Sequence, residues 1–93
     1  MHKNIKKEDM SINTIVVCDD TESFDLLKQV LETSSYDIVF HGAALKQLLI
    51  EPELDKPELI IISIASAYDG LIEQLKIINK QYPLPIVIFT QDD

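Results

Sequence analysis

The sequence predicts an α/β domain built on a parallel sheet, and three observations support that class. Four short apolar runs rich in β-branched residues alternate with three stretches whose apolar residues recur at helical spacing. The run LIIIS inside residues 57–66 is unbroken, which is typical of a central strand covered on both faces. Strictly alternating strands and helices favour right-handed crossovers between parallel strands. We expect the strand order second, first, third, fourth.

The composition indicates one small soluble domain that does not bind nucleic acid. The chain has 93 residues, of which 46% are hydrophobic, and its 16 acidic side chains outnumber the 8 basic ones. Lysine supplies all of these basic side chains, and there is no arginine. A net charge of -8 argues against binding to the phosphates of RNA or DNA.

Three further observations predict a cytoplasmic protein. No apolar run approaches the roughly 18 residues of a membrane span, so we expect no membrane partner. The start MHKNIKKEDM lacks the apolar region of a signal peptide. The single Cys18 cannot form an internal disulfide, which agrees with a reducing compartment.

The first strand is predicted to follow a polar tail. Residues 1–13 show no periodicity and are assigned to this tail, and residues 14–93 are assigned to the domain. Residues 14–18, TIVVC, predict a strand that runs directly into Asp19 and Asp20. Acids at the carboxyl end of a buried strand stand where binding groups gather in α/β sheets.

A helix is predicted over residues 22–33. Either Thr21 or Ser23 is able to cap its start. The expected buried face consists of Phe24, Leu27, Val30 and Leu31. Residues 36–40, YDIVF, then predict a second strand, which ends at His41 and Gly42.

The remaining elements complete the alternation of strands and helices. Residues 43–50 carry a leucine stripe and predict a short helix. The strand within 57–66 closes on Ser63. Residues 71–81 predict a second long amphipathic helix, and residues 86–89 predict a fourth strand that ends at Thr90.

Three motifs in this order carry a resemblance to a known family. The motifs IVVCDD, PELIIIS and IVIFT together resemble the signature of a response-regulator receiver domain of two-component signal transduction. The resemblance implies a flavodoxin-like receiver fold, truncated here to four parallel strands with three helices. More narrowly, IASAYDGLIEQLKIINKQYPLPIVIFTQDD resembles the receiver part of ANTAR-type antitermination regulators, including the nitrate-responsive NasT-like proteins.

The receiver resemblance implies roles for four residues. Asp19 and Asp20 match the acidic pair that binds magnesium in the family, and Thr90 matches its hydroxyl switch position. Ser63 stands at the position of the phosphoacceptor aspartate, and here the sequence departs from the family. The aspartate is both nucleophile and magnesium ligand, whereas a serine hydroxyl brings no charge to the metal. We therefore expect no catalytic residue, no required cofactor and at most weak magnesium binding.

A second departure concerns the end of the domain. The family continues with a helix, a strand ending in a lysine that contacts the phosphoryl group, and a final helix, and this pattern is missing after residues 86–89. We expect the fourth strand to form an open edge with exposed apolar surface beside it. Such an edge predicts a homo-oligomer. Any RNA-binding ANTAR helices of the natural protein are expected beyond Asp93.

Plainer interpretations of the same residues stand beside these. Asp19 and Asp20 can form a solvated turn that benefits from the helix dipole. Ser63 can be a small packed residue, and Thr90 can be a simple strand end. Asp69, in the loop after the third strand, is the other carboxylate that we consider as a phosphoacceptor.

Three functional hypotheses follow from these observations. The preferred one is a phosphorylation-independent receiver-like module, not an enzyme, which binds a sensor or a second copy of itself and gates a downstream antiterminator. The alternative is a magnesium-dependent phosphoacceptor that uses another carboxylate. A third is a module that binds a small molecule or an anion at the strand ends.

Overall fold

Strands and helices alternate along the whole described chain. The computed structural model describes residues 11–50, 53–54 and 56–90. The elements are β1 (Ile12–Cys18), α1 (Thr21–Thr33), β2 (Tyr36–Gly42), α2 (Leu45–Leu49), β3 (Leu59–Ile64), α3 (Leu71–Gln81) and β4 (Ile86–Thr90). The strands form one all-parallel sheet of order β2-β1-β3-β4. The predicted α/β class, parallel pairing and strand order are confirmed.

The register of the sheet decides which side chains share a face. Ser63 of β3 lies beside Cys18 of β1 on one side and beside Phe89 of β4 on the other. Because side chains alternate along a strand, these residues point to the same face. We name the two faces by their members. Face A carries Ile15, Val17, Ile60, Ile62, Ile64, Ile86 and Ile88, and face B carries Val16, Cys18, Ile61, Ser63, Val87 and Phe89.

Face A is covered by α2 and α3. The predicted apolar stripe of α3 is confirmed, with Leu71 and Ile78 buried and Leu75 half-buried against the core. Full burial of an aliphatic side chain of this size stabilises the fold by roughly 1.5–3 kcal/mol. The buried cluster on this face comprises Ile15, Val17, Leu45, Leu48, Ile60, Ile62, Ile64, Leu71 and Ile78. Most of the core therefore lies on this side of the sheet.

Among the described elements, α1 is the one that covers face B. This helix packs on β1 and β2, where Leu31 joins a buried cluster with Val16, Cys18 and Ile61. The β4 end of the face is open, and Phe89 is 52% exposed there. Within the described residues, β4 pairs only with β3, so its other side is the open sheet edge that the sequence predicts.

The start of β1 corrects the predicted boundary of the polar tail. The strand begins at Ile12, not at residue 14, because Ile12 pairs with Tyr36 of β2 and its N–H donates to the Ser35 carbonyl at 3.0 Å. Asn13 pairs with Asp37 in the same ladder. Residues 1–10, the remainder of the predicted tail, lie outside the described residues.

Two predictions about α1 are wrong. Asp20 caps the helix instead of Thr21 or Ser23, because its carboxylate accepts a hydrogen bond from the Ser23 N–H. Val30 does not lie on the buried face but is 60% exposed, because it points along the flank of the helix, where no described element covers it.

The helix α2 is shorter than predicted. It spans Leu45–Leu49 rather than residues 43–50, because the backbone of Ala44 is extended; the Gln47 side-chain oxygen accepts from the N–H groups of Ala43 and Ala44 and closes the start of the helix. Its leucines still point into the core of face A. Among the helices of the described chain, none is long and apolar enough to cross a bilayer.

Candidate functional site

The carboxyl ends of β1 and β3 are joined through Asp19. Its backbone N–H donates to the Ser63 carbonyl at 3.3 Å, and its carboxylate oxygen Oδ2 accepts from the Ala65 N–H at 3.3 Å. The adjacent pairing of the two strands brings these residues together. The sequence-predicted Asp19 and Ser63 are thus neighbours at one edge of the sheet. Asp19 is exposed there, and its carboxylate partner is the backbone after β3.

Asp20 is directed toward α1 rather than toward β3. Its carboxylate accepts from the Ser23 hydroxyl at 2.7 Å and from the Ser23 N–H at 2.9 Å. The hydroxyl contact and then the backbone contact stabilise the charged form and lower the pKa of Asp20 below its usual value. The Asp20 carboxylate is therefore an anion at neutral pH, and its oxygen Oδ2 is already occupied by the two hydrogen bonds from Ser23 at the start of α1.

Cys18 is buried at the end of β1. Its thiol donates to the Asp20 carbonyl at 3.3 Å, which holds the turn that separates the strand from α1. A buried thiol in an apolar cluster behaves as a small hydrophobe. We assign Cys18 a packing role at the base of the acidic turn.

Ser63 lines a groove together with apolar side chains, not with the acids. The groove has a volume of about 350 Å³ and lies on face B between α1 and β4. Its lining residues are Ser23, Leu26, Leu27, Val30, Ser63 and Phe89. The described structure places Asp19 and Asp20 beside this groove and not in its lining. We call this cavity the face-B groove.

Thr90, the last residue of β4, points to the opposite face of the sheet from Ser63. It pairs with Ile64, whereas Ser63 pairs with Phe89. Alternation along the strands directs Thr90 to face A and Ser63 to face B. The threonine is exposed at the same edge of the sheet as the acids, but it does not line the face-B groove.

Two side-chain contacts near the strand ends, a hydrogen bond and a ring stack, have no signal in the sequence. Tyr68 follows β3, and its hydroxyl donates to the Gln74 side-chain oxygen at 2.6 Å. Partial burial, and then the negative charge of Asp19, raise the pKa of Tyr68 above its usual value. His41 of β2 stacks on Phe24 of α1 with ring centroids 3.6 Å apart. The spacing of the two residues in the sequence predicts neither contact.

The donor atoms at this edge do not fit the magnesium site of a receiver. Within the described chain, no group of three or more His, Cys, Asp or Glu side chains is placed to hold a metal ion. Magnesium prefers six oxygen ligands in an octahedron, usually with carboxylates among them. Asp19 and Asp20 hydrogen-bond in different directions, and Ser63 brings no carboxylate to the end of β3. Asp69 lies exposed in the turn before α3, off the strand.

Comparisons of the chain with protein-family models, with curated proteins and with solved structures gave no match. The resemblance to receiver domains therefore stays a prediction from the motifs IVVCDD, PELIIIS and IVIFT.

Proposed function

We propose that this chain is a receiver-like signalling module that acts through protein–protein contacts without being phosphorylated. The observation that carries the proposal is the position of Ser63. It stands at the carboxyl end of β3, hydrogen-bonded through its backbone to Asp19, where a receiver of flavodoxin-like fold would hold its phosphoacceptor. The strand order β2-β1-β3-β4 is compatible with such a fold in truncated form.

The chemistry of this edge favours binding over phosphoryl transfer. A nucleophile at this position must attack phosphorus and must share a metal ion with the transferred group. Ser63 lines the mainly apolar face-B groove, and among the described residues no carboxylate or imidazole accepts a hydrogen bond from its hydroxyl. Exposed apolar side chains dominate the same surface, and such patches mark sites of interaction.

The narrower resemblance to ANTAR-type regulators suggests the biological setting. In this proposal the module works in the cytoplasm, receives its input from a sensor or from a second copy, and gates an antitermination step of transcription. The net charge of -8 opposes direct binding of RNA by this segment.

A phosphorylation assay tests the proposal directly. The full chain is incubated with acetyl phosphate and Mg²⁺ and is then weighed by intact-mass spectrometry. We expect no added phosphoryl group. An acid-labile gain of one phosphoryl group would support the alternative, a magnesium-dependent phosphoacceptor that uses another carboxylate, and peptide mapping at Asp19, Asp20 and Asp69 would locate it.

Self-association through β4 is the second part of the proposal. The Pro85 carbonyl accepts from the Ile60 N–H, and the alternation of a parallel ladder then directs the N–H and C=O groups of Ile86, Ile88 and Thr90 away from β3. The sequence of β4, IVIFT, contains no charge and no proline. An edge of this kind is a template for pairing with another strand.

A lysine on the β4 edge is expected to prevent this pairing. The variant Ile88→Lys places a charge on the exposed edge strand, and such charges block edge-to-edge pairing. Sedimentation velocity over a range of concentrations should show association for the natural chain and a monomer for the variant. Because each copy carries a charge of -8, we expect the association to strengthen as salt rises. The matched control, Ile72→Lys on α3, should associate like the natural chain, and equal effects of both variants would reject the β4 edge.

A further inference from the structure

We infer that the face-B groove binds one amphipathic helix of a partner protein and that this helix carries lysine or arginine along its flanks. The inference rests on the proposed function, since it identifies the surface and the class of partner through which such a module would signal. It concerns the face of the sheet and is separate from the β4 edge.

The dimensions of the open surface are those of one helix. Strands lie about 4.8 Å apart, and packed helices lie about 8–10 Å apart, so one helix covers about two strands. On face B, α1 packs on β1 and β2 and also buries Ile61 of β3, so the open part beside it consists of β4 and the Ser63 end of β3. A strand the length of β4, 5 residues, spans roughly 17 Å, which a helix of about 11 residues matches.

The helix α1 has a second apolar side, and this side borders the open part of face B. Leu31 and Phe24 pack on the sheet, whereas Leu26 and Val30, four residues apart, are 67% and 60% exposed and line the groove. A surface helix needs only one apolar stripe to pack on its own sheet. A second stripe at this spacing is the pattern by which one helix packs against another.

Phe89 completes the apolar floor of the groove from the other side. It is 52% exposed and lines the groove opposite Leu26 and Val30, next to the half-buried Ser63. An aromatic side chain buried in the centre of an interface is a frequent hot spot. The smaller groove on α3 differs, because Glu73, Lys76 and Lys80 surround its single apolar residue. We therefore assign helix binding to the face-B groove and not to α3.

The charges around the groove decide between a basic partner and a second copy. Helical spacing of 100° per residue places Glu22 beside Leu26 on the solvent side of α1 and places Lys28, the only lysine of that helix, on the far side. Asp19 and Asp20 lie at the end of the groove that holds Ser63. A second copy would bring another charge of -8 to this acidic rim, whereas lysines or arginines on the docking helix would complement it.

A designed peptide tests this inference with the full chain. The probe is a fluorescein-labelled helical peptide of about 14 residues, with leucines on one stripe and lysines on both flanks. Its binding is followed by fluorescence anisotropy, and the site is located from amide shifts in two-dimensional NMR spectra. We expect saturable binding that weakens with salt and shifts concentrated at Leu26, Val30, Val87 and Phe89. A control peptide of the same composition without the stripe should bind at least about tenfold more weakly.

Matched variants of exposed residues separate the groove from the rest of the surface. Leu26→Gln and Val30→Gln should each weaken peptide binding about tenfold, because each removes an apolar contact at the centre of the groove. Ile72→Gln, at a residue that is also 60% exposed, should leave it unchanged. Circular dichroism checks that all three variants fold.

Three results would overturn the inference. They are equal binding of the two peptides, amide shifts confined to β4 edge positions or to α3, and a dimer of the natural chain that Leu26→Gln dissociates, which would make a second copy the occupant. The phosphorylation assay is independent of these measurements. If the chain is phosphorylated but still binds the peptide, the proposed function is rejected and helix binding by the face-B groove stands. If the chain is not phosphorylated and does not bind the peptide, helix binding is rejected and the proposed function stands.

Discussion

Replacing Ser63 with aspartate is expected to create magnesium binding at the carboxyl edge of the sheet. The substitution adds a third carboxylate next to Asp19, whose backbone already bonds to the Ser63 carbonyl. Three acids supply the oxygen ligands and the charge that Mg²⁺ requires. Isothermal titration calorimetry should show an affinity at least about tenfold above that of the natural chain, which corresponds to about 1.4 kcal/mol.

The same variant should also become dependent on magnesium for its stability. In EDTA the crowded carboxylates repel one another, and the melting temperature should fall below that of the natural chain. At a magnesium concentration of 100 times Kd, binding should restore about 2.7 kcal/mol. Ser66→Asp in the exposed loop after β3 is the matched control, since it adds the same charge away from the strand. If Ser66→Asp binds magnesium equally well, our assignment of this edge to a receiver site is wrong.

Truncating Ile62 is expected to cause the largest loss of stability. Its side chain is fully buried at the centre of face A, between Val17 of β1 and Ile88 of β4. Ile62→Ala removes apolar contacts and leaves a cavity, which costs about 2–5 kcal/mol. In a domain of this size each kcal/mol lowers the melting temperature by roughly 4–8 °C, so a fall of at least about 8 °C is expected.

Thermal and urea unfolding followed by circular dichroism measure this loss. Ile72→Ala is the matched control, because it removes the same atoms from a side chain that is 60% exposed on α3. We expect it to change the free energy of unfolding by less than about 0.5 kcal/mol. Similar losses for the two variants would mean that the buried cluster of face A does not dominate the stability of the domain.

The architecture was predictable because each element carries its own local signal. The apolar run of β3 required cover on both sides, and the stripe from Leu71 to Ile78 required a helix with one buried face. The alternation of such elements leaves few topologies other than a parallel sheet. The start of β1 at Ile12 was harder to predict from the sequence, because it depends on pairing with Tyr36, which is distant in sequence.

The exposure of Val30 shows a limit of helical periodicity. The spacing places Val30 near Leu27 and Leu31 on the helix, but burial depends on which neighbour covers that side. On face B, α1 packs on β1 and β2, so its flank toward β4 remains open. The periodicity of one helix therefore cannot predict which of its apolar residues are left uncovered by neighbouring elements.

The candidate site was predictable in position but not in orientation. Parallel strands end at one edge, so Asp19 and Ser63 had to be close once β1 and β3 were paired. The direction of each carboxylate depends on nearby donors, and the Ser23 N–H and hydroxyl draw Asp20 toward α1. The raised pKa of Tyr68 depends on partial burial and then on the charge of Asp19, and neither leaves a pattern in the sequence.

The one-sided hydrogen bonding of β4 has a consequence for the dynamics of the sheet. The amides of Val87 and Phe89 point to β3, whereas those of Ile88 and Thr90 point outward. Amide hydrogens therefore exchange with solvent at alternating slow and fast rates along this one strand, while β1, enclosed by β2 and β3, is protected along its length. Loss of the fast phase at Ile88 and Thr90 would register any strand that pairs with the edge.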